Sequence, residues 1–163
     1  MNKINLKNFY LNLVILLIVF VLDRTTKLYI LNLAEIDTGV DVYITPYLNL
    51  FLIWNKGIAF GLFSIDANII YNSITVLIGL IIITILFMML KSNNIKGYFF
   101  ALITGGALGN FYDRLFYLAV PDFIDIHINN YHWFTFNIAD IFITVGVIFL
   151  IGKDLIVKKN ENY

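Results

Sequence analysis

GGALGNFYDR, residues 105–114, decides how this chain is read. It closes an uncharged run over 97–112 and then places Asn110, Asp113 and Arg114 together at its end. The chain around it is 60% hydrophobic and only 13% charged. Soluble domains carry about 25% charged residues, so this one has too little polar surface to wrap a core in water. Lipid is the expected solvent for most of it.

Working outward from 105–114, three further apolar stretches are found. Residues 8–22 carry no charge, and the apolar pattern continues past Asp23, Arg24 and Lys27. Residues 67–90 carry none, and a last stretch runs from Thr135 to Val157 with Asp140 near its start. About 20 residues cross the hydrocarbon of a bilayer. The expected fold is therefore a membrane α-helical bundle of four spans, about 9–31, 69–90, 97–117 and 136–156, within a single domain covering 1–163. No small-residue cleavage site follows the first apolar run, so it reads as an uncleaved span and not a signal peptide.

Seven of the eleven basic residues (Lys3, Lys7, Lys91, Lys96, Lys153, Lys158 and Lys159) fall on one side of that arrangement. The positive-inside rule then puts both termini in the cytoplasm. The connections 32–68 and 118–135 face outward. The first contains β-formers around Pro46 and a turn signal at Gly57 and Gly61, which predicts a small β-sheet cradle over about 38–62. The second reads as loop-like.

With this orientation the polar residues gather near one depth on the outer side. Asn110, Asp113 and Arg114 end the third span, Asn137 and Asp140 begin the fourth, Asp23, Arg24 and Lys27 lie in the outer half of the first, and Asp122 follows the third. Intramembrane ionisable groups are costly and face a bundle interior or cavity. Gly105, Gly106 and Gly109 would let helices approach closely. Two readings stand open for Asp23 and Lys27: a plain i,i+4 staple or part of a site. Arg24 and Lys27 could also snorkel to the interface. Two nearby carboxylates in a low-dielectric site share one proton, the arrangement of an aspartic protease. Asp122 and Asp140 suit it, and Asp125, Asp113 and Asp23 are rivals.

Some classes are excluded or disfavoured. Net charge is zero, which leaves no electrostatic footprint for nucleic acid. The chain has no cysteine, so thiol chemistry is absent. His127 and His132 invite a zinc reading, but no carboxylate or third ligand completes a known spacing with them. A small transporter would show midplane acids and a repeat, and a scaffold leaves the carboxylates unexplained.

The stretches VLDRTTK (21–27), NKGIAFG (55–61), GGALGNFYDR (105–114), PDFID (121–125) and FNIAD (136–140) resemble, in order, the motifs of the lipoprotein signal peptidase (signal peptidase II) family. The resemblance covers nearly the whole chain. It implies an intramembrane aspartic endopeptidase of the bacterial plasma (inner) membrane, acting on prolipoproteins whose lipobox cysteine carries diacylglycerol and cutting just before that cysteine. It implies Asp122 and Asp140 as the catalytic pair. It implies Asn55, Gly57, Asn110, Arg114 and Asn137 at the substrate, supported by Asp23, Lys27, Gly106, Asp113, Phe136 and Ala139. No metal or organic cofactor is expected, and the partners are the lipid-modified substrate and membrane lipids, with the chain a monomer. Ile58, Pro121 and the missing proline before FN depart from the family pattern.

Overall fold

The computed structural model describes residues 5–36, 39–57, 67–92, 94–129 and 131–161. In chain order these form α1 (Leu6–Ile36), β1 (Asp41–Thr45), β2 (Leu48–Asn55), α2 (Ala67–Lys91), α3 (Lys96–Phe116), β3 (Val120–Ile128), β4 (Tyr131–Phe136) and α4 (Ile138–Glu161). Each stretch read as a span contains one helix. By length and composition, α1 and α2 can cross a membrane. The 21 residues of α3 extend about 31 Å, but its glycines and its polar end dilute its apolar character.

The molecule is inverted relative to a water-soluble protein. Leu17, Ile18 and Val21 on α1, Leu80 and Ile83 on α2, and Phe149 and Ile151 on α4 are exposed, while Asp23, Lys27, Thr104, Asp113 and Asn137 are buried. An apolar exterior this extensive needs a lipid or protein cover.

Helix α3 is the hub, packed against α1, α2 and α4. Its glycines permit this. A Cβ added at Gly105 would lie 2.7 Å from the Leu16 carbonyl oxygen, and one at Gly106 would lie 2.6 Å from that of Ala139. Backbone thus meets backbone on both sides of α3. Leu16, Met89, Phe100 and Ala101 form one apolar cluster in the bundle. Ile30, Val40 and Phe123 form a second, which seats the sheet on the end of α1.

The four strands make one antiparallel sheet in the order β1-β2-β3-β4, which among the described residues leaves β1 and β4 as its edges. The cradle expected over about 38–62 draws on the first connection alone. In fact the second connection supplies two of the four strands, a hairpin that turns at Asn129 (φ 53). The first four residues of β3 are buried on both faces, so no alternating pattern marks it in the sequence. Residues 58–62 of the predicted cradle, with Ile58 and Gly61, lie outside the described residues. Pro121 sits in β3 opposite Trp54. It is tolerated because pairing with β4 begins only at Ile124↔Phe136, so β3 has a neighbour on one side there. Phe136 ends β4 and does not begin the last helix, which starts at Ile138.

Candidate active site

The amides and carboxylates at the junction of sheet and bundle form one connected network. Asn137 stands at the N-terminus of α4 and Asp140 three residues on. The Asp140 N–H donates to Asn137 Oδ1 at 3.1 Å, and the Asn137 N–H donates to Asp140 Oδ2 at 3.2 Å. This reciprocal capping satisfies two helix-terminal donors and fixes the Asp140 side chain. The remaining end of Asn137 turns to the sheet: its Nδ2 donates to Asp122 Oδ1 at 2.6 Å. One asparagine therefore ties both carboxylates. Asn55 Nδ2, from the end of β2, donates to Asp122 Oδ2 at 2.9 Å. Asn110 Nδ2, from α3, donates to Asp140 Oδ1 at 2.8 Å.

The other buried acids have different partners. Lys27 Nζ donates to Asp23 Oδ2 (2.8 Å), to Asp113 Oδ2 (2.6 Å) and to Asn110 Oδ1 (2.8 Å). Arg24 pairs with Asp113 and lies over the Tyr112 ring. Asp23 Oδ1 accepts the Ala139 N–H at 3.0 Å. Two cations thus neutralise two anions between α1 and α3. The i,i+4 staple of Asp23 and Lys27 exists, but the Lys27 side chain is 0% exposed and crosses to α3. Snorkelling does not describe it. The network also takes in Arg24, for which the sequence suggests only snorkelling, and Tyr112, to which it gives no role. The adjacency of Arg24 to Asp23 was the available signal.

Among the described residues, then, Asp122 and Asp140 are held by amides, whereas Asp23 and Asp113 are neutralised by cations. Asp125 stands three positions from Asp122 on a strand whose side chains alternate, so it points to the other face. There it bonds His132.

Gly57 and Arg114 meet at the edge of the site. Gly57 has φ +71, and a Cβ there would lie 2.8 Å from Arg114 Nη1. The left-handed backbone favours glycine, and a side chain there would displace the tip of Arg114. The Gly57 N–H donates to Asn55 Oδ1 at 2.7 Å, which orients the amide that holds Asp122. Arg114 Nη1 is buried with no hydrogen-bond acceptor among the described residues. The arginine backbone is anchored where Tyr71 Oη donates to its carbonyl at 2.9 Å. Beside Asp140 lies an apolar groove of about 500 Å³, lined by Trp133, Phe134, Phe136, Ile141 and Val145.

Residues 15–156 match the profile of the family described as signal peptidase (SPase) II. The chain belongs to the signal peptidase II family. It is similar to the lipoprotein signal peptidase of Pelagibacter ubique (strain HTCC1062), 77% identical over 155 residues that cover 95% of this chain and 93% of that one. It is also similar to the lipoprotein signal peptidase of Francisella tularensis subsp. novicida (strain U112), 42% identical over 99% of this chain and all of that one. A bacterial membrane enzyme solved by the in meso method at 2.3 Å superposes with a TM-score of 0.68 at 31% identity, covering 93% of this chain and 91% of that one. As a signal peptidase II the chain is a hydrolase of peptide bonds, and its apolar helices fit the membrane.

In this peptidase, Asp122 belongs to the sheet. Burial pushes its carboxyl above the ordinary aspartate range, the hydrogen bonds from Asn55 and Asn137 pull it back, the Asp140 charge pushes it up, and Lys27 pulls it down.

Proposed function

We propose that Asp122 and Asp140 are the catalytic pair of an aspartic endopeptidase that cuts just before a diacylglyceryl-modified cysteine. The activity follows from the family: the chain removes signal peptides from prolipoproteins. The single observation that carries the dyad is Asn137, which bonds both carboxylates at once while no cation neutralises either among the described residues. Such a pair can hold one proton between them. The ionised acid takes a proton from the attacking water while the protonated one gives its proton to the carbonyl oxygen; on collapse of the tetrahedral intermediate, the first acid passes the water's proton to the leaving amine and the second regains one from the intermediate's hydroxyl. Asn110 and Asn55 orient the acids. Arg114, whose Nη1 has no acceptor among the described residues, bonds a substrate carbonyl and fixes the scissile bond.

The groove beside Asp140 is apolar enough for the substrate's lipid or its hydrophobic segment. The lysine distribution favours four spans with both termini cytoplasmic and the sheet outside. Acyl chains then remain in the bilayer while the scissile bond reaches the aspartates. The enzyme works as a monomer and needs no cofactor for this chemistry. The test is incubation of purified protein with a diacylglyceryl prolipoprotein and mass spectrometry of the products. Cleavage at a bond other than the one before the lipidated cysteine would sink the reading.

A further inference from the structure

The outer sheet holds a second cluster of titratable side chains. Asp125, His127 and His132 each offer one ligand atom, and these atoms all lie within 4.8 Å of one another. The sequence reading found no carboxylate to join the two histidines, and this expectation fails because the hairpin supplies one. His127 and His132 are register partners across β3 and β4, and their rings stack with centroids 5.3 Å apart. Asp125 and His127 are both buried, alternating with exposed Ile126 and Ile128, so they share one face of the pleat. Asp125 Oδ2 lies 2.7 Å from His132 Nδ1 and 3.5 Å from His127 Nδ1.

The bland reading is a single hydrogen bond between His132 and Asp125. It leaves too much unsatisfied. Asp125 Oδ1, His127 Nδ1 and Asn49 Oδ1 are all buried without a hydrogen-bond partner among the described residues. Asn49 is the register partner of Asp125 on β2. Buried polar atoms are paired almost everywhere in native proteins, so three orphans around one point call for something to pair with. The space before them is a cavity of about 480 Å³, which Asp41 and Thr135 also line. The His132 side chain is 58% exposed and leaves the cavity open to solvent.

We propose that Asp125, His127 and His132 bind a divalent transition-metal ion, zinc by preference, which clamps β3 to β4. Two imidazole nitrogens and one carboxylate oxygen are a borderline ligand set that suits zinc. Calcium and magnesium need more oxygens than this site offers. Tetrahedral zinc with bonds of 2.0–2.1 Å sets its ligands about 3.3 Å apart; His127 Nδ1 already lies near that distance from Asp125 Oδ2, and rotation of the exposed His132 ring would open its 2.7 Å contact to it. Water or Asn49 Oδ1 completes the coordination. The ion would sit on the face of β3 opposite Asp122 and would touch neither Asp122 nor Asp140. It would stiffen the β3–β4 hairpin, which carries Asp122 and leads into the helix that carries Asp140.

The test uses untagged, full-length protein in detergent, stripped with EDTA and dialysed. Zinc is titrated by calorimetry, and thermal unfolding is followed in parallel. The expected result is one zinc ion per chain, a raised Tm, and no shift with magnesium or calcium at the same concentration. His132→Ala, an exposed position that leaves the core intact, should weaken binding at least tenfold or so, as should Asp125→Asn. Absence of saturable binding, or zinc affinity unchanged in both variants, would overturn the site.

Discussion

Asp122 and Asp125 are the same residue type, on the same strand, both buried, yet they are assigned opposite fates. Asp122→Asn and Asp140→Asn should each leave the protein inserted and folded while lowering cleavage by at least about 10³-fold, because an amide neither shares the proton nor activates water. Asp125→Asn should keep most of the activity. Loss of activity in Asp125→Asn with retention in Asp122→Asn would reverse the assignment. The pH profile has a definite sign. Cleavage needs one proton on the pair, so it should fall in acid when both carboxyls are protonated. It should fall again as pH rises through the Asp122 value, which burial holds above the ordinary aspartate range. Asn55→Ala removes one hydrogen bond that pulls this value down, so the alkaline limb should move to higher pH in a stopped-time cleavage assay. A limb that moves to lower pH would show that Asp122 is not the proton holder. The candidate residues themselves were legible, since polar groups stand out against an apolar chain. Their partners were not. Nothing local to FYDR or PDFID says that Asp113 meets two cations from α1 while Asp122 meets two amides, because those partners arrive through helix packing and strand register.

At the scale of elements, α3 is held by contacts that admit no side chain. Gly106→Ala should force α3 from α4, because the new Cβ would lie 2.6 Å from a backbone oxygen that cannot rotate away. The expected loss is about 1–3 kcal/mol, read as a lower Tm, together with reduced cleavage as Asp140 moves relative to Asn110. Gly152→Ala is the control: nothing lies within 4 Å of its position, and replacing a helical glycine gains about 0.5–1 kcal/mol. Equal behaviour of the two variants would remove close packing as the explanation. The four helices were readable from apolar run length. The β3–β4 hairpin was not, because β3 carries aspartates at buried positions and its buried stretch hides the two-residue period. The reading of 118–135 as a loop failed for that reason.

For the whole molecule, the orientation can be checked by labelling. Single cysteines at Tyr43 and Asn129, both exposed on the sheet and its hairpin turn, should react with an impermeant reagent from outside, and one at Asn94, between α2 and α3, only from the cytoplasm. Outside labelling at Asn94 would break the four-span arrangement. Substrate choice belongs to this scale too, since it depends on where the site sits in the bilayer. A precursor lacking diacylglycerol should be cut slowly or not at all, and equal rates on the two forms would mean that the lipid is not read.

Among the described residues the sheet ends at β4, whose outer row of backbone N–H and C=O groups has no strand beside it. Tyr131, Trp133 and Phe134 stand exposed along that strand, where aromatic rings settle at a lipid–water boundary. With the strand set at such a boundary, the bilayer would guard an edge that otherwise templates growth by another copy. Extracted into small, mobile micelles, the protein loses that guard before it loses its fold. Concentrated preparations should accumulate β-paired aggregates that grow with protein concentration. Phe134→Lys should suppress them by setting a charge where a second edge would dock, and infrared amide bands would report the difference.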